Sequence, residues 1–137
     1  MSSPPNFSWS CRVYWEDTDA GGVVYYANYL KFMERCRTEW LRNMGIDQRR
    51  LRAERSIQFA VVDVTVAFRK PAFLDDEITV TAELRRLAGA TIEFAQSIRR
   101  GDLELIDAGV RVACLDAVNL KPCAIPKDLF MEWRNEQ

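Results

Sequence analysis

The sequence contains no histidine, and this absence narrows the chemistry that the chain can perform. A Ser-His-Asp triad needs an imidazole base, so that mechanism is excluded. The four cysteines are Cys11, Cys36, Cys114 and Cys123, and no two of them form a Cys-x-x-Cys pair. Without histidine or such a pair, the zinc-finger patterns are excluded as well. We expect buried free thiols in a reducing cytoplasm.

Several other features are also missing. No apolar run approaches the ~20 residues that a membrane-spanning helix requires, and the first residues lack the basic and apolar regions of a signal peptide. We therefore expect a cytoplasmic protein without a membrane span. No glycine-rich phosphate motif and no Gly-x-Ser-x-Gly elbow is present. The net charge of −1, from 19 basic and 20 acidic residues, gives no general attraction to nucleic acid.

What remains is the composition of an ordinary globular protein. A chain of 137 residues with 48% hydrophobic side chains is long enough to bury one sizeable core. Residues 1–8, which include two adjacent prolines, are predicted to form a flexible arm. Residues 9–137 are predicted to form a single domain.

The pattern along the chain predicts a strand at 9–15 and a long helix at 28–45. Apolar residues recur at helical spacing from Tyr29 to Met44, with Asn28 as the expected N-cap and Gly45 as the expected stop. A short, basic, exposed helix is predicted at 47–54. Alternating apolar residues predict strands at 62–68, 78–84, 92–98 and 110–114, and a last short helix should start near Pro126.

This order of elements predicts an α+β fold. A long helix with apolar residues around much of its circumference needs cover on most sides, and a curved antiparallel sheet provides it. Such a sheet has edges, and pairing them across a two-fold axis protects them. We therefore expect a homodimer or homotetramer.

The most informative segment is residues 16–29, between the first strand and the long helix. It places three carboxylates beside Gly21 and Gly22 at a helix N-terminus. Carboxylates, flexible backbone and helix N-terminal amides together can bind or attack a polar substrate.

The run Glu-Asp-Thr-Asp-Ala-Gly-Gly-Val-Val-Tyr at 16–25 resembles the hotdog-fold acyl-CoA thioesterases of the 4-hydroxybenzoyl-CoA thioesterase superfamily. It is most similar to the bacterial Tol-Pal-associated acyl-CoA thioesterase family. The resemblance spans residues 11–127, continues through 32–39, and has secondary matches at 69–76 and 120–122. It implies a five-stranded antiparallel sheet wrapped around a central helix.

The resemblance also implies roles for individual residues. Asp19 matches the catalytic carboxylate, which attacks the thioester carbonyl or activates a water molecule. The backbone amide of Tyr26 matches the group that polarises the thioester oxygen. Many of the nearest relatives carry histidine at the position of Tyr26, whereas the 4-hydroxybenzoyl branch looks to have another residue there. An imidazole therefore has no role in this chain.

The remaining candidates are expected to contact the substrate. Gly21 and Gly22 let the thioester approach the backbone. Side chains that are predicted to line an acyl slot are Val24, Tyr25 and Phe59. Arg69 and Lys70 are candidates for the phosphates of coenzyme A or for the acidic surface of acyl carrier protein.

Acyl-CoA hydrolysis is the main functional prediction, with thioesters of acyl carrier protein as a further substrate class. No cofactor or metal is expected. Two alternatives remain open: a protein that binds acyl groups or acyl carrier protein without turnover, and a Mg²⁺ or Ca²⁺ site formed by Asp17 and Asp19. Glu34 is a second catalytic candidate, because a glutamate on the central helix serves as the acid in another hotdog branch.

Overall fold

The computed structural model describes residues 6–135, which form one antiparallel sheet packed against a long helix. The strands are β1 (Asn6–Arg12), β2 (Ile57–Phe68), β3 (Glu77–Ala88), β4 (Thr91–Arg100) and β5 (Leu103–Asp116). The helices are α1 (Asn28–Asn43), α2 (Gln48–Arg55) and α3 (Met131–Asn135). The strand order in the sheet is β1-β3-β4-β5-β2, and every neighbouring pair is antiparallel. The predicted α+β class and five-stranded sheet are confirmed.

The sheet covers α1 because alternate residues of its strands face the helix. In β3, for example, Ile78 and Val80 are fully buried, and the Cys36 thiol of α1 donates to the Val80 carbonyl at 3.4 Å. Two apolar clusters result. The Tyr29 cluster surrounds the first half of α1 and includes Val13, Val24, Phe32 and Met33. The Trp40 cluster surrounds its second half and includes Phe94, Cys114, Ile125 and Phe130.

The start of the sheet differs from the prediction. Strand β1 begins at Asn6, so residues 6–8 pair with β3 and do not belong to an arm; residues 1–5 of the predicted arm lie outside the described part of the chain. The strand also ends at Arg12, before the predicted boundary. It ends early because the Asp17 carboxylate accepts a hydrogen bond from the Tyr14 amide at 2.8 Å, which folds Trp15–Asp17 into a short 3-10 helix.

Two helix boundaries were also predicted wrongly. Asn28 is the first residue of α1 and does not cap it; its side-chain amide donates to the Asp17 carbonyl at 2.9 Å. Helix α3 begins at Met131, not near Pro126. Pro126 does start a turn, since its carbonyl accepts from Leu129 N at 3.1 Å, but Phe130 has φ +62° and interrupts any continuous helix. No helix within residues 6–135 is long and apolar enough to span a membrane.

Strand β2 lies at an edge of the sheet and is the most exposed of the strands. The side chains of Val61, Val62 and Val64 are 45%, 56% and 37% exposed. Next to it, a groove runs along the surface; apolar residues of α1 and of strands β2 and β5 line it together with four charged residues of α1. The alternation in β2 predicted residues 62–68 of the strand, which begins earlier, at Ile57, but the described part of the chain leaves these three valines exposed.

Candidate active site

Asp19 lies in a tight turn between the 3-10 helix and α1. Its amide donates to the Val23 carbonyl at 2.9 Å, and its own carbonyl accepts from Gly22 N at 3.0 Å. Its carboxylate oxygen Oδ1 accepts from Gly21 N at 2.8 Å. Among residues 6–135, no hydrogen bond or ion pair involves the other oxygen, Oδ2, and the residue is exposed. One carboxylate oxygen is thus held in place while the other is free to react.

Gly21 and Gly22 are favoured over larger residues for different physical reasons. Gly22 has φ +81°, a conformation that residues with a side chain rarely adopt. A Cβ atom on Gly21 would lie 3.2 Å from Asp19 Oδ1 and would crowd the carboxylate. Both residues therefore shape the turn that carries Asp19, besides leaving its surface open.

Asp17 has a structural task. Its carboxylate accepts from Tyr14 N, and its carbonyl accepts from Tyr25 N at 3.0 Å and from the Asn28 side chain. Residues 6–135 contain no group of three or more Asp, Glu or Cys side chains that could hold a metal ion. Asp17 therefore closes the turn, whereas the side chain of Asp19 faces solvent.

The N-terminus of α1 presents free amides beside this turn. The amides of Asn28 and Tyr29 donate to the carbonyls of Tyr25 and Tyr26. In the described part of the chain, the amides of Tyr26 and Ala27 have no hydrogen-bond acceptor, and no side chain caps the helix. Unpaired amides at a helix N-terminus attract a negatively charged oxygen.

An aromatic surface flanks these amides. The ring centroids of Tyr25 and Tyr26 lie 4.8 Å apart, and Tyr26 meets Phe68 edge-on at 6.3 Å. All three side chains are exposed. The hydrogen bond that the Tyr25 hydroxyl shares with Tyr26, together with the closeness of the Tyr26 phenol, raises the pKa of Tyr25 above its usual value. Phe68 was not among the residues predicted for the site; its position at the end of β2, next to Arg69, was the available signal.

The segment 69–76 holds the Asp19 turn against α1. The Ala72 carbonyl accepts from Val24 N at 2.9 Å, and the Ala72 amide donates to the Tyr29 hydroxyl at 3.0 Å. Val24, Tyr29 and Ala72 are all buried, so Val24 packs in the core and not in an open slot. Burial raises the pKa of Tyr29, which keeps its phenol neutral. Helical periodicity predicted Tyr29 as a buried residue of α1 but did not predict its hydrogen bond to Ala72.

An ion pair stabilises the other side of segment 69–76. Arg100 Nη1 lies 2.7 Å from Asp76 Oδ2 and also donates to the Pro71 carbonyl at 3.1 Å. The same Asp76 oxygen accepts from Phe73 N at 2.9 Å, and the Arg100 guanidinium lies 5.6 Å from the centre of the Phe73 ring. The segment therefore has a fixed shape.

Arg69 and Lys70 start this segment and are both exposed. The Arg69 guanidinium pairs with Asp107 at 3.3 Å and with Glu104 at 3.9 Å, so part of its charge is compensated. Lys70 makes no ion pair with any residue from 6 to 135. Of the two, Lys70 is the more available to an anion.

Phe59 and Glu34 lie apart from the residues that surround the Asp19 turn. Phe59 packs against the Trp40 cluster, whereas the Asp19 turn adjoins the Tyr29 cluster. Glu34 accepts from the Thr38 hydroxyl at 3.1 Å and lines the groove beside β2. Within one chain, the structure therefore brings together Asp19, Gly21, Gly22, Tyr25 and Tyr26, with Arg69 and Lys70 on the supporting segment.

Residues 13–133 match the model of the thioesterase-like superfamily, so the chain belongs to this superfamily of hotdog-fold proteins. Among its relatives, the acyl-CoA thioesterase YbgC of Haemophilus influenzae is 46% identical over 123 residues, which cover 90% of each chain. The acyl-CoA thioester hydrolase YbgC of Escherichia coli O6:H1 is 43% identical and covers 93% of this chain and 96% of its own. A solved probable thioesterase from Bartonella henselae superposes with a TM-score of 0.85 at 34% identity, covering 89% of this chain and 100% of its own.

Proposed function

We propose that this protein is an acyl-CoA thioester hydrolase in which Asp19 is the catalytic carboxylate. The observation that carries the proposal is a carboxylate with one free oxygen on the turn that leads to the N-terminus of α1, where the amides of Tyr26 and Ala27 are unpaired among the described residues. The YbgC relatives, which are named as acyl-CoA thioesterases, support the substrate class.

Thioester hydrolysis requires a nucleophile or base and a stabilised oxyanion. Asp19 supplies the first, either by attacking the carbonyl carbon or by taking a proton from water. The amide of Tyr26 supplies the second, because negative charge that develops on the carbonyl oxygen is stabilised by a fixed N–H donor. The phenol of Tyr26 takes no part in proton transfer in this scheme; its ring borders the acyl group.

The other proposed substrate contacts follow from where the side chains lie around the Asp19 turn. Tyr25, Tyr26 and Phe68 offer apolar ring surface to the acyl group. Gly21 and Gly22 leave room for the thioester beside the turn. Lys70, and Arg69 to a lesser degree, bind the phosphates of coenzyme A or acidic side chains of an acyl carrier protein.

The protein functions as a homodimer that forms through β2. Support comes from the exposed edge, whose unpaired backbone groups and three exposed valines gain partners when a second copy pairs with it.

A cytoplasmic location is part of the proposal. The four cysteines are all free in the structure, which suits a reducing compartment, and acyl-CoA is used there. Association with a Tol-Pal system rests on the sequence resemblance alone.

The test is a panel of substrates for the purified wild-type protein. Aromatic, short-chain and long-chain acyl-CoAs are compared with matched thioesters of acyl carrier protein, and thiol release is followed. Release from at least one acyl-CoA is expected. Tight binding of acyl-CoA without any release would instead identify a binding protein and overturn the proposal.

A further inference from the structure

Cys114 and Cys123 form a thiol pair that the proposed hydrolysis does not use. Their sulfur atoms lie 3.7 Å apart. The backbone holds them in register, because Cys123 N donates to the Cys114 carbonyl at 2.9 Å and Leu115 pairs with Pro122 as an antiparallel bridge. Directly opposed cross-strand residues have Cβ atoms about 4.5–5.5 Å apart, and the closest of them reach the ~4.5 Å that a disulfide can span.

The two thiols differ in access. Cys114 is fully buried in the Trp40 cluster, whereas Cys123 is only partly buried and packs against that cluster. Cys11 and Cys36 do not form a second pair of this kind: among the described residues, the Cys36 thiol bonds to the Val80 carbonyl and no thiol contact joins it to Cys11. One pair of the four cysteines is thus placed for a cross-link.

We propose that Cys114 and Cys123 are an oxidative modification site, at which a peroxide converts the two thiols into an intramolecular disulfide. The partly exposed Cys123 reacts first. Its thiolate attacks one oxygen of hydrogen peroxide, so that an S–O bond forms, the O–O bond breaks and water leaves, giving a sulfenic acid. The Cys114 sulfur then attacks the Cys123 sulfur, the S–S bond forms, and a second water leaves. Two thiols are oxidised and one peroxide is reduced to two waters.

Burial supports this order of events. Desolvation and the contact with Cys123 raise the pKa of Cys114 to about 12, so Cys114 is the weaker first nucleophile at neutral pH. Once the sulfenic acid has formed within contact distance, the neighbouring sulfur needs only a side-chain rotation to reach it.

The disulfide would tie the segment after β5 to the sheet. It closes a loop that contains the exposed Val118 and Leu120, the latter with φ +61°. Because cross-linking a short loop restricts the unfolded chain, we expect the thermal midpoint of the oxidised protein to rise by about 5–10 °C.

Mass spectrometry tests the proposal on the full-length protein. The protein is treated with hydrogen peroxide, its remaining thiols are alkylated under denaturing conditions, and it is digested with trypsin. Lys121 precedes proline and resists cleavage, so a single peptide, 112–127, carries both thiols. We expect this peptide to lose two hydrogen atoms and to escape alkylation, and a thiol reductant should restore both thiols.

The matched control is Cys123→Ser, in which Cys114 should remain alkylatable and the thermal midpoint should not respond to peroxide. Cys11 and Cys36 serve as internal controls and should stay alkylatable in both proteins. The proposal is overturned if both thiols of peptide 112–127 are alkylated after treatment. It is equally overturned if the peptide gains oxygen without a cross-link, or if the cross-link joins two chains.

Discussion

At the scale of single residues, two aspartates two positions apart have different tasks. The carboxylate and the carbonyl of Asp17 accept the hydrogen bonds that close the turn, whereas one carboxylate oxygen of Asp19 has no partner among residues 6–135. Residue type and spacing do not distinguish them, because both precede a helix. The family resemblance selected Asp19, and the hydrogen bonds supply a physical reason for that choice.

A substitution at Gly22 tests how strongly activity depends on the backbone conformation of the Asp19 turn. Gly22 and Gly101 both have positive φ, +81° and +60°, and a Cβ atom on either would meet nothing within 4 Å. Each change to alanine should therefore lower the free energy of unfolding by about 1–2 kcal/mol. Only Gly22→Ala should lower kcat/KM, because only that turn carries Asp19. Denaturant titrations and steady-state kinetics measure the two effects, and an equal loss of activity in Gly101→Ala would contradict this interpretation.

At the scale of elements, the site depends on three segments that are joined by backbone hydrogen bonds. The Asp19 turn bonds to segment 69–76 through Val24 and Ala72, and Ala72 bonds to α1 through the Tyr29 hydroxyl. Asn28 adds a direct bond from α1 to Asp17. These bonds fix the position of the Tyr26 and Ala27 amides, which precede α1, relative to the carboxylate of Asp19.

Tyr29→Phe removes the acceptor of the buried Ala72 amide. We expect the free energy of unfolding to fall by about 1–3 kcal/mol and kcat to fall with little change in KM. Thr81→Val is the matched control, since the Thr81 hydroxyl accepts from the Ser97 amide at 3.1 Å in the sheet. The control should lose stability but keep its kcat. If both variants keep the wild-type kcat, the hydroxyl of Tyr29 is structural only.

Most elements could be predicted from periodicity, because the apolar face of each is wide and regular. The alternation of Ile78 and Val80 predicted β3, for instance. Where specific contacts override periodicity, the sequence did not predict which residues are buried. Gln96 occupies a buried position on the inner face of β4, where its side chain accepts from Arg37 at 2.8 Å and donates to the Met33 carbonyl at 3.1 Å. Such a hydrogen-bond network depends on how α1 packs against the sheet. A local sequence pattern does not predict that packing.

At the scale of the whole molecule, the exposed edge of β2 is the feature that a single chain leaves unexplained. Periodicity predicts an apolar partner for Val61, Val62 and Val64, and the other residues between 6 and 135 leave these side chains exposed. The predicted acyl-slot residue Phe59 packs instead against the Trp40 cluster. The homodimer proposed above would give the exposed valines an apolar partner.

A lysine at this edge should prevent the pairing. Val62→Lys introduces a charge at a side chain that is 56% exposed, so it should not disturb the fold of one chain. We expect sedimentation analysis to find dimers for the wild type and monomers for the variant, with reduced turnover. Val118→Lys is the control, because Val118 is 86% exposed but lies in the loop after β5. A monomeric wild type, or a dimeric Val62→Lys variant, would exclude β2 as the interface.

The most direct test of the central claim is the turnover of acyl-CoA by Asp19→Asn. Asparagine has nearly the same shape and retains the acceptor for Gly21 N, but it cannot act as a nucleophile or as a base. With any acyl-CoA that the wild type hydrolyses, we expect kcat/KM to fall about 100-fold or more, at an unchanged thermal midpoint. Asp102→Asn, in the exposed turn between β4 and β5, should match the wild type. An Asp19→Asn variant with wild-type turnover would show that Asp19 is not the catalytic carboxylate.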